Sequence, residues 1–338
     1  MRDKIMRVAV RGALAARPLV RALGGRRVRA HPALDPQVAA VLELERIARI
    51  PAMDSMEPAA ARKFAVDGLS PLDPDPEPMD RVIDVTVPGP ASSIPVRIYV
   101  PPGAGRSWIV YFHGGGGVIG SIAASDPATR LIAARTRCTV ASVDYRCGPE
   151  HKHPAAIDDA VAAFDAIAAR VPAGGRIAVS GDSFGGYLAV RVEHATRTRG
   201  RGRRSDAQGL FYPIVDYTFS SPSLARNAEG YLLTRSLIDW FTRHYVNPGD
   251  DRRAMSPLLW ADGELRGAAP MVMSTAGFDP LVDEGDAYAE RLAKLGVAVH
   301  HHRNAGLIHG FLSMSGAVHA ARAAVDELCD DVAALLTV

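Results

Sequence analysis

The feature that most constrains this chain is Gly181-Asp-Ser-Phe-Gly185, set between two apolar runs of different character. Arg176-Ile-Ala-Val-Ser180 before it has the short, β-branched look of a strand, and Tyr187-Leu-Ala-Val190 after it opens a helix. A serine at such a junction sits on a sharp strand-to-helix turn that leaves its Oγ exposed. Glycine neighbours let the turn close without side-chain obstruction. Five residues of this pattern alone would carry little, because Gly and Ser are common in loops. The strand before and the helix after give the pattern its meaning.

The same strand and helix rhythm runs through most of the chain. Val82–Val87 and Ile94–Tyr99 read as a strand pair, and Trp108–Phe112 as a short buried strand. A helix is expected at about 126–136, a strand at Thr139–Val143 and a helix at Pro154–Ala169. Strand Arg176–Ser180 and helix Gly186–Ala195 follow, then strands at Leu210–Tyr212, Met271–Ala276 and Val297–His302. Such alternation predicts an α/β fold with a mostly parallel central sheet and helices on both faces. Residues 36–66 show helix-like apolar spacing, with Pro36 suited to a first turn and Pro51 to a stop. Ser70 to Met79 carries four prolines in ten residues and reads as an extended linker. Two units are therefore expected: residues 1–75, a helical segment contributing to a cap, and residues 76–338, the sheet domain. Within the latter, 216–260 interrupts the rhythm with Tyr217, Phe219, Tyr231, Trp240, Phe241, Tyr245 and Trp260. It reads as an insertion covering the active edge of the sheet, against the alternative of an ordinary helical connection.

Chemistry gathers around the serine. His113-Gly-Gly-Gly-Gly117 directly follows a predicted strand. Acyl transfer builds negative charge on a carbonyl oxygen, and backbone N–H groups fixed in advance stabilise it. A phosphate loop would need a Gly-Lys-Ser/Thr ending, and a dinucleotide loop would open a helix. This loop has no Lys and continues as loop through Ile119-Gly120-Ser121. It is read as an oxyanion loop, with His113 holding it rather than acting as a base. Ser183, Asp279 and His309 occur in the order nucleophile, acid, base. Asp279 and His309 each follow a predicted strand, so they are expected at the ligand-binding end of a parallel sheet. His309 can deprotonate Ser183, and Asp279 can fix its tautomer and stabilise its cation. Among rivals, His300, His301 and His302 lie inside a predicted strand. Asp283 and Glu284 sit at the start of a helix, where they would bind its backbone N–H groups, with Asp283 the fallback acid.

Charge and cysteine content narrow the setting. The net charge is +2, which makes no overall case for nucleic acid as a partner. Residues 1–30 nevertheless hold nine Arg or Lys against Asp3 alone, leaving the rest of the chain net acidic. That opening is read first as a solvated cap helix with arginines on its wet face; peripheral contact with an anionic membrane is the second reading. Arginines interrupt it too often for the apolar core of a signal peptide, and no apolar run is long enough to span a bilayer. Arg199-Gly-Arg-Gly-Arg-Arg204 reads as an exposed basic loop. Cys138, Cys147 and Cys329 are odd in number and lack metal spacing. They suit a reducing cytoplasm, where the protein is expected to reside.

Taken together, these motifs resemble the hormone-sensitive-lipase-like esterases of the α/β-hydrolase superfamily. The resemblance rests on His113-Gly-Gly-Gly116 with Val118 and Gly120, then Asp144-Tyr-Arg146, Pro149-Glu150 and Pro154-Ala-Ala156. It continues through Gly181-Asp-Ser183 with Gly185-Gly186, Tyr212-Pro213 and Ser256-Pro257. It closes on Asp279-Pro-Leu281, Asp283-Glu-Gly285 and His309-Gly-Phe311, so it spans about residues 80–325. The resemblance implies a carboxylic ester hydrolase favouring short to medium acyl chains, with a helical cap built from the N-terminal segment and the 216–260 insertion. It places the oxyanion donors on Gly115, Gly116 and the N–H of Phe184. Phe184 departs from the alanine usual there, and its ring is expected to crowd the acyl side. Cys147-Gly148 replaces the usual Leu-Ala, a minor change.

The expectation is two-step hydrolysis of a small-molecule ester by Ser183, Asp279 and His309, needing no cofactor or metal. An amidase or peptidase on the same fold, and a ligand-binding relative without activity, are the alternatives; the complete triad speaks against the second.

Overall fold

The computed structural model describes residues 2–68 and 71–337; the Ser70 end of the predicted linker lies outside the described residues. Eight strands form one sheet: β1 (Arg81–Val87), β2 (Ile94–Val100), β3 (Trp108–Phe112), β4 (Thr139–Val143), β5 (Ile177–Asp182), β6 (Ala207–Phe211), β7 (Met271–Phe278) and β8 (Val299–Ile308). Their spatial order is β1-β2-β4-β3-β5-β6-β7-β8. β2 pairs antiparallel with β1 and β4, and every other pairing is parallel. The central strands are continuous apolar runs because helices cover both faces; every residue of β4 and β6 is buried. β1 lies at the edge and exposes its first four residues.

The helices divide between the faces and create two cores. α6 (Ala155–Ala168) and α7 (Phe184–Thr198) pack on one face, where Val110, Phe112, Val179, Phe164 and Leu188 meet. α5 (Ile122–Thr136) and the helix His319–Leu336 cover the other, with Ile109, Tyr111, Ile132, Val325 and Leu328. That second core also receives residues from α1 (Arg2–Ala15), α2 (Arg17–Ala30) and α3 (Pro36–Ala48), among them Leu14, Val20 and Val38. Gly24 of α2 lies so close to Ala39, Ala40 and the Pro36 carbonyl that a side chain there would collide.

Local chemistry sets the boundaries. Asp35 caps α3 by accepting hydrogen bonds from the N–H groups of Gln37 and Val38, and Pro36 fills the first turn. The predicted 36–66 segment is two helices: α3 stops at Ala48, before Pro51, and α4 spans Pro58–Gly68. α5 starts four residues earlier than expected because Ser121 Oγ accepts from the Ala124 N–H, so the cap precedes Pro127. β8 runs six residues past its expected end at His302, since its pairing with β7 continues, with a bulge, to Ile308. The C-terminal ends of β5, β7 and β8 then lie along one edge of the sheet.

Candidate active site

Ser183 occupies the turn between β5 and α7 with φ 54° and ψ −115°. A side chain with positive φ is strained, at roughly 1–3 kcal/mol, so the surroundings must impose it. They do so by hydrogen bonds to the next strand. The Ser183 N–H donates to the Phe211 carbonyl, and the Ser183 carbonyl accepts from Ile214 and Tyr187. Gly181 and Gly185 are required because a Cβ at either would run into the crossing backbone, including the Phe112 carbonyl.

Three side chains from three strand ends meet here. His309 Nε2 lies 2.9 Å from Ser183 Oγ, and His309 Nδ1 lies 2.7 Å from Asp279 Oδ2. With Nδ1–H donated to the carboxylate, Nε2 remains to accept the serine proton. All three residues are buried, so the Asp279 carboxylate needs partners of its own. Its Oδ1 accepts from the Leu281 N–H, while Asn227 Nδ2 donates to the backbone carbonyl of the same residue. Tyr212 packs against the imidazole, with ring centroids 4.7 Å apart.

The glycine loop faces the serine in a backbone conformation that side chains rarely adopt: φ is 113° at Gly115 and 60° at Gly116. A Cβ on Gly116 would meet the Phe241 ring. The loop is held from behind. Asp182 Oδ1 accepts from the Gly114 N–H at 2.8 Å and from Tyr111 O–H at 2.6 Å. Burial pushes the Asp182 carboxyl up, and the Tyr111 bond opposes that. His113 is buried with its ring stacked on Tyr145, whose hydroxyl donates to the His113 carbonyl at 2.5 Å. Burial holds its pKa below the usual histidine value, and its Nδ1 lies 2.8 Å from the Gly114 carbonyl. Phe184 begins α7, so its N–H is among the first-turn donors that lack an intrahelical acceptor.

The readings of Phe184, Asp283 and Glu284 are corrected, and the remaining residues fall elsewhere. The Phe184 ring does not crowd the acyl side: it is fully buried behind the glycine loop, 4.7 Å from Tyr245 and 5.6 Å from Tyr187 by ring centroid. The absence of a side chain at Gly117 leaves the room it fills. Glu284 accepts from backbone N–H groups, but from Val215 and Asp216 after β6 and not from its own helix, Val282–Lys294. Asp283 pairs with Arg226 at 2.6 Å, while Asp279 takes the histidine. His300 and His302 face Asp331, and His301 faces Asp286. Among the described residues no cluster could hold a metal ion. The basic 199–204 loop is tied down: Arg199 pairs with Asp165, and Arg203 donates to the Gly175 carbonyl.

The serine opens into a cavity of about 510 Å³. Its walls come from the glycine loop, from Leu42, Glu45 and Met53 near the N-terminus, and from Tyr217, Phe219, Leu237, Ile238 and Phe241 of the 216–260 stretch. Asp73 also lines it; burial pushes its carboxyl up to about 7, while Arg7 and Arg11 pull it down. Asp182, Tyr145, Asn227 and Asp73 went unread in the sequence. Asp182 is the variable position of the Gly-x-Ser-x-Gly pattern, and Tyr145 stood only as a matching residue. Asn227 and Asp73 carry no motif signal.

A family model described as alpha/beta hydrolase fold matches residues 109–313. The chain is 38% identical to carboxylic ester hydrolase LipN of Mycobacterium tuberculosis, over 83% of this chain and 77% of that one. It is 38% identical to esterase LipI of the same organism, over 87% and 93%. Ethyl acetate hydrolase of Pseudomonas putida is 32% identical, over 85% and 95%. Among solved structures, an ester hydrolase from the Lake Arreo metagenome superposes with a TM-score of 0.85 at 37% identity, covering 89% of this chain and 98% of that one. A thermostable esterase from Pseudomonas putida gives 0.85 at 28% identity, covering 90% and 98%.

Proposed function

The chain belongs to the hormone-sensitive-lipase-like esterases of the α/β-hydrolase fold and is a carboxylic ester hydrolase, and on that premise we propose that Ser183, His309 and Asp279 are its catalytic triad. The observation that carries this reading is the unbroken chain from Ser183 Oγ to His309 at 2.9 Å and on to Asp279 at 2.7 Å, opening on the cavity. Ser183 Oγ attacks the ester carbonyl as His309 Nε2 takes its proton. Asp279 stabilises the imidazolium that forms. The N–H groups of Gly115, Gly116 and Phe184 receive the developing oxyanion; a single such donor contributes about 3–4 kcal/mol. The tetrahedral species collapses, and His309 protonates the departing alcohol. Water, deprotonated by His309, then attacks the acyl-enzyme; the second tetrahedral species collapses, releasing the acid as His309 returns the proton to Ser183 Oγ. The protein's own side chains and backbone carry every step.

The substrate is a small-molecule ester, with an acyl chain of short to medium length; a 510 Å³ cavity suits a ligand of that size. The N-terminal segment and the 216–260 insertion together form the cap, a division supported by their shared lining of that cavity. Cys138, Cys147 and Cys329 are unpaired, which supports a cytoplasmic setting. No helix among the described residues is long and apolar enough to cross a membrane.

Incubation with p-nitrophenyl butyrate, an aryl amide and a fluorophosphonate tests the reading. Labelling and ester turnover are expected, with both lost in Ser183→Ala and kcat falling by roughly 10,000-fold or more. Absence of labelling, or amide turnover as fast as that of the ester, would overturn it.

A further inference from the structure

We propose that α1 and α2 form a docking face for an anionic lipid surface, and that this face brings the cavity mouth against the membrane from which a lipid-borne ester enters. Residues 4–34 hold eight Arg or Lys and no Asp or Glu. Some of these cations are used internally: Arg7 and Arg11 pair with Asp75, and Arg27 donates to the Gly230 carbonyl. Arg17, Arg21, Arg26 and Arg29 are different. All four are exposed, and among the described residues none of them makes an ion pair or a side-chain hydrogen bond.

Apolar side chains are exposed on the same two helices and on and just after α3. Seven large hydrophobic residues are exposed among the described residues, and Met6, Val8, Leu19, Ile47 and Ile50 are five of them. The remaining two, Val82 and Ile83, belong to the edge strand β1. On α2, Leu19, Ala22, Arg26 and Arg29 are all exposed at three- and four-residue spacing, so they line one outward side of the helix. Apolar residues interleaved with arginines match a lipid interface, which offers phosphate charge above and acyl chains beneath.

Position supplies the link to catalysis. Arg27, between Arg26 and Arg29, lines the cavity, and so do Arg46, Ile50 and Pro51 just beyond it. Through Arg27 the basic helix therefore reaches the cavity wall itself. The rest of the chain is net acidic, so charge favours contact with an anionic surface through this segment. The protein would settle with its mouth down. This inference rests on the esterase reading only for the fate of the ester; the docking itself does not need Ser183.

Flotation with phosphatidylcholine vesicles, with and without phosphatidylglycerol, tests the docking. Wild type and Ser183→Ala are both expected to float with the anionic vesicles only, and to be released by salt. A quadruple variant, Arg17→Glu, Arg21→Glu, Arg26→Glu and Arg29→Glu, is expected to lose binding by about 100-fold or more, given four cations near the surface. Its unchanged turnover of soluble p-nitrophenyl butyrate shows that it is folded. Wild type alone should hydrolyse a medium-chain triglyceride carried in the anionic vesicles faster than in neutral ones. A second variant, Met6→Ser with Leu19→Ser, should weaken binding and leave its salt dependence intact. Wild type that ignores anionic vesicles, a quadruple variant that still floats, or preferential capture of single-stranded RNA would each overturn the docking. Wild type that floats with anionic vesicles yet turns over no ester would instead count against the esterase reading and leave the docking standing.

Discussion

Phe184 shows how one side chain can be read correctly for its backbone and wrongly for its ring. Its N–H lies beside Ser183 whatever residue stands there, because the turn fixes the backbone. The direction of the ring depends on Gly117 and Tyr245, which are remote in sequence and close only in the fold. Phe184→Ala is therefore expected to cost about 3–5 kcal/mol of stability through the void it leaves. Its acyl-length preference should match wild type, which a series of p-nitrophenyl esters would check; a shift toward longer chains would place the ring in the cavity after all. Ser183, Asp279 and His309 could be found from sequence because each sits in a short motif at a strand end. Asp73 could not, since its burial comes from chain segments that no local pattern brings together. Its carboxyl, pushed up to about 7, makes a second residue-scale prediction. A carboxyl whose folded pKa exceeds its unfolded value favours folding in its protonated form. That contribution is fully present below the ordinary value of 3.8 and is lost as pH rises through about 7. Asp73→Asn should thus gain stability over wild type progressively from about pH 4 to 7, with no further gain above. Thermal melts across that range would show it, and a constant difference would refute the titration.

At the scale of elements, the strands were readable and their ends less so. β3 and β4 match their predicted spans because a short apolar run buried on both faces admits few alternatives. β8 is expected to end at His302, since Arg303 to Gly306 lack apolar alternation; pairing with β7 carries the strand on regardless. The missing information is the neighbouring strand, which the local sequence does not contain. Glu284 illustrates the same limit from the opposite side. Its position at a helix start suggested a partner in its own first turn, yet it reaches the segment after β6. The contact ties the helix behind Asp279 to the start of the 216–260 stretch. Burial drives its carboxyl well above the usual range, against the pull of the two N–H donors. Glu284→Ala would strand both donors in the interior, at roughly 1–3 kcal/mol each. Glu284→Gln keeps an acceptor and should retain most of the stability and turnover. Equal loss in the two variants would mean that charge, and not hydrogen bonding, is what the site requires.

Viewed as a whole, the molecule places its cavity where two independently packed layers meet the end of the sheet. One wall descends from the N-terminal helices, which are part of the second core and not a loose appendage. The two readings of the basic opening therefore concern a surface built on a structural element, and they are separable by experiment. Leu14 and Val20 are buried by α3 and the sheet's second face, and each contributes about 1.5–3 kcal/mol by leaving water. Deleting residues 2–34 would remove them and uncover Val38, Ala39 and Val41. It would also remove Arg27 from the cavity wall. The truncated protein should melt about 5–15 °C lower and show a raised KM for p-nitrophenyl butyrate, because its cavity is open on one side. Substitution of the four exposed arginines should change neither quantity. If truncation left both the melting temperature and KM as in wild type, the N-terminal helices would be an accessory arm. Their place in the core would then contribute nothing to the enzyme, and the cap would have to be built from 216–260 alone.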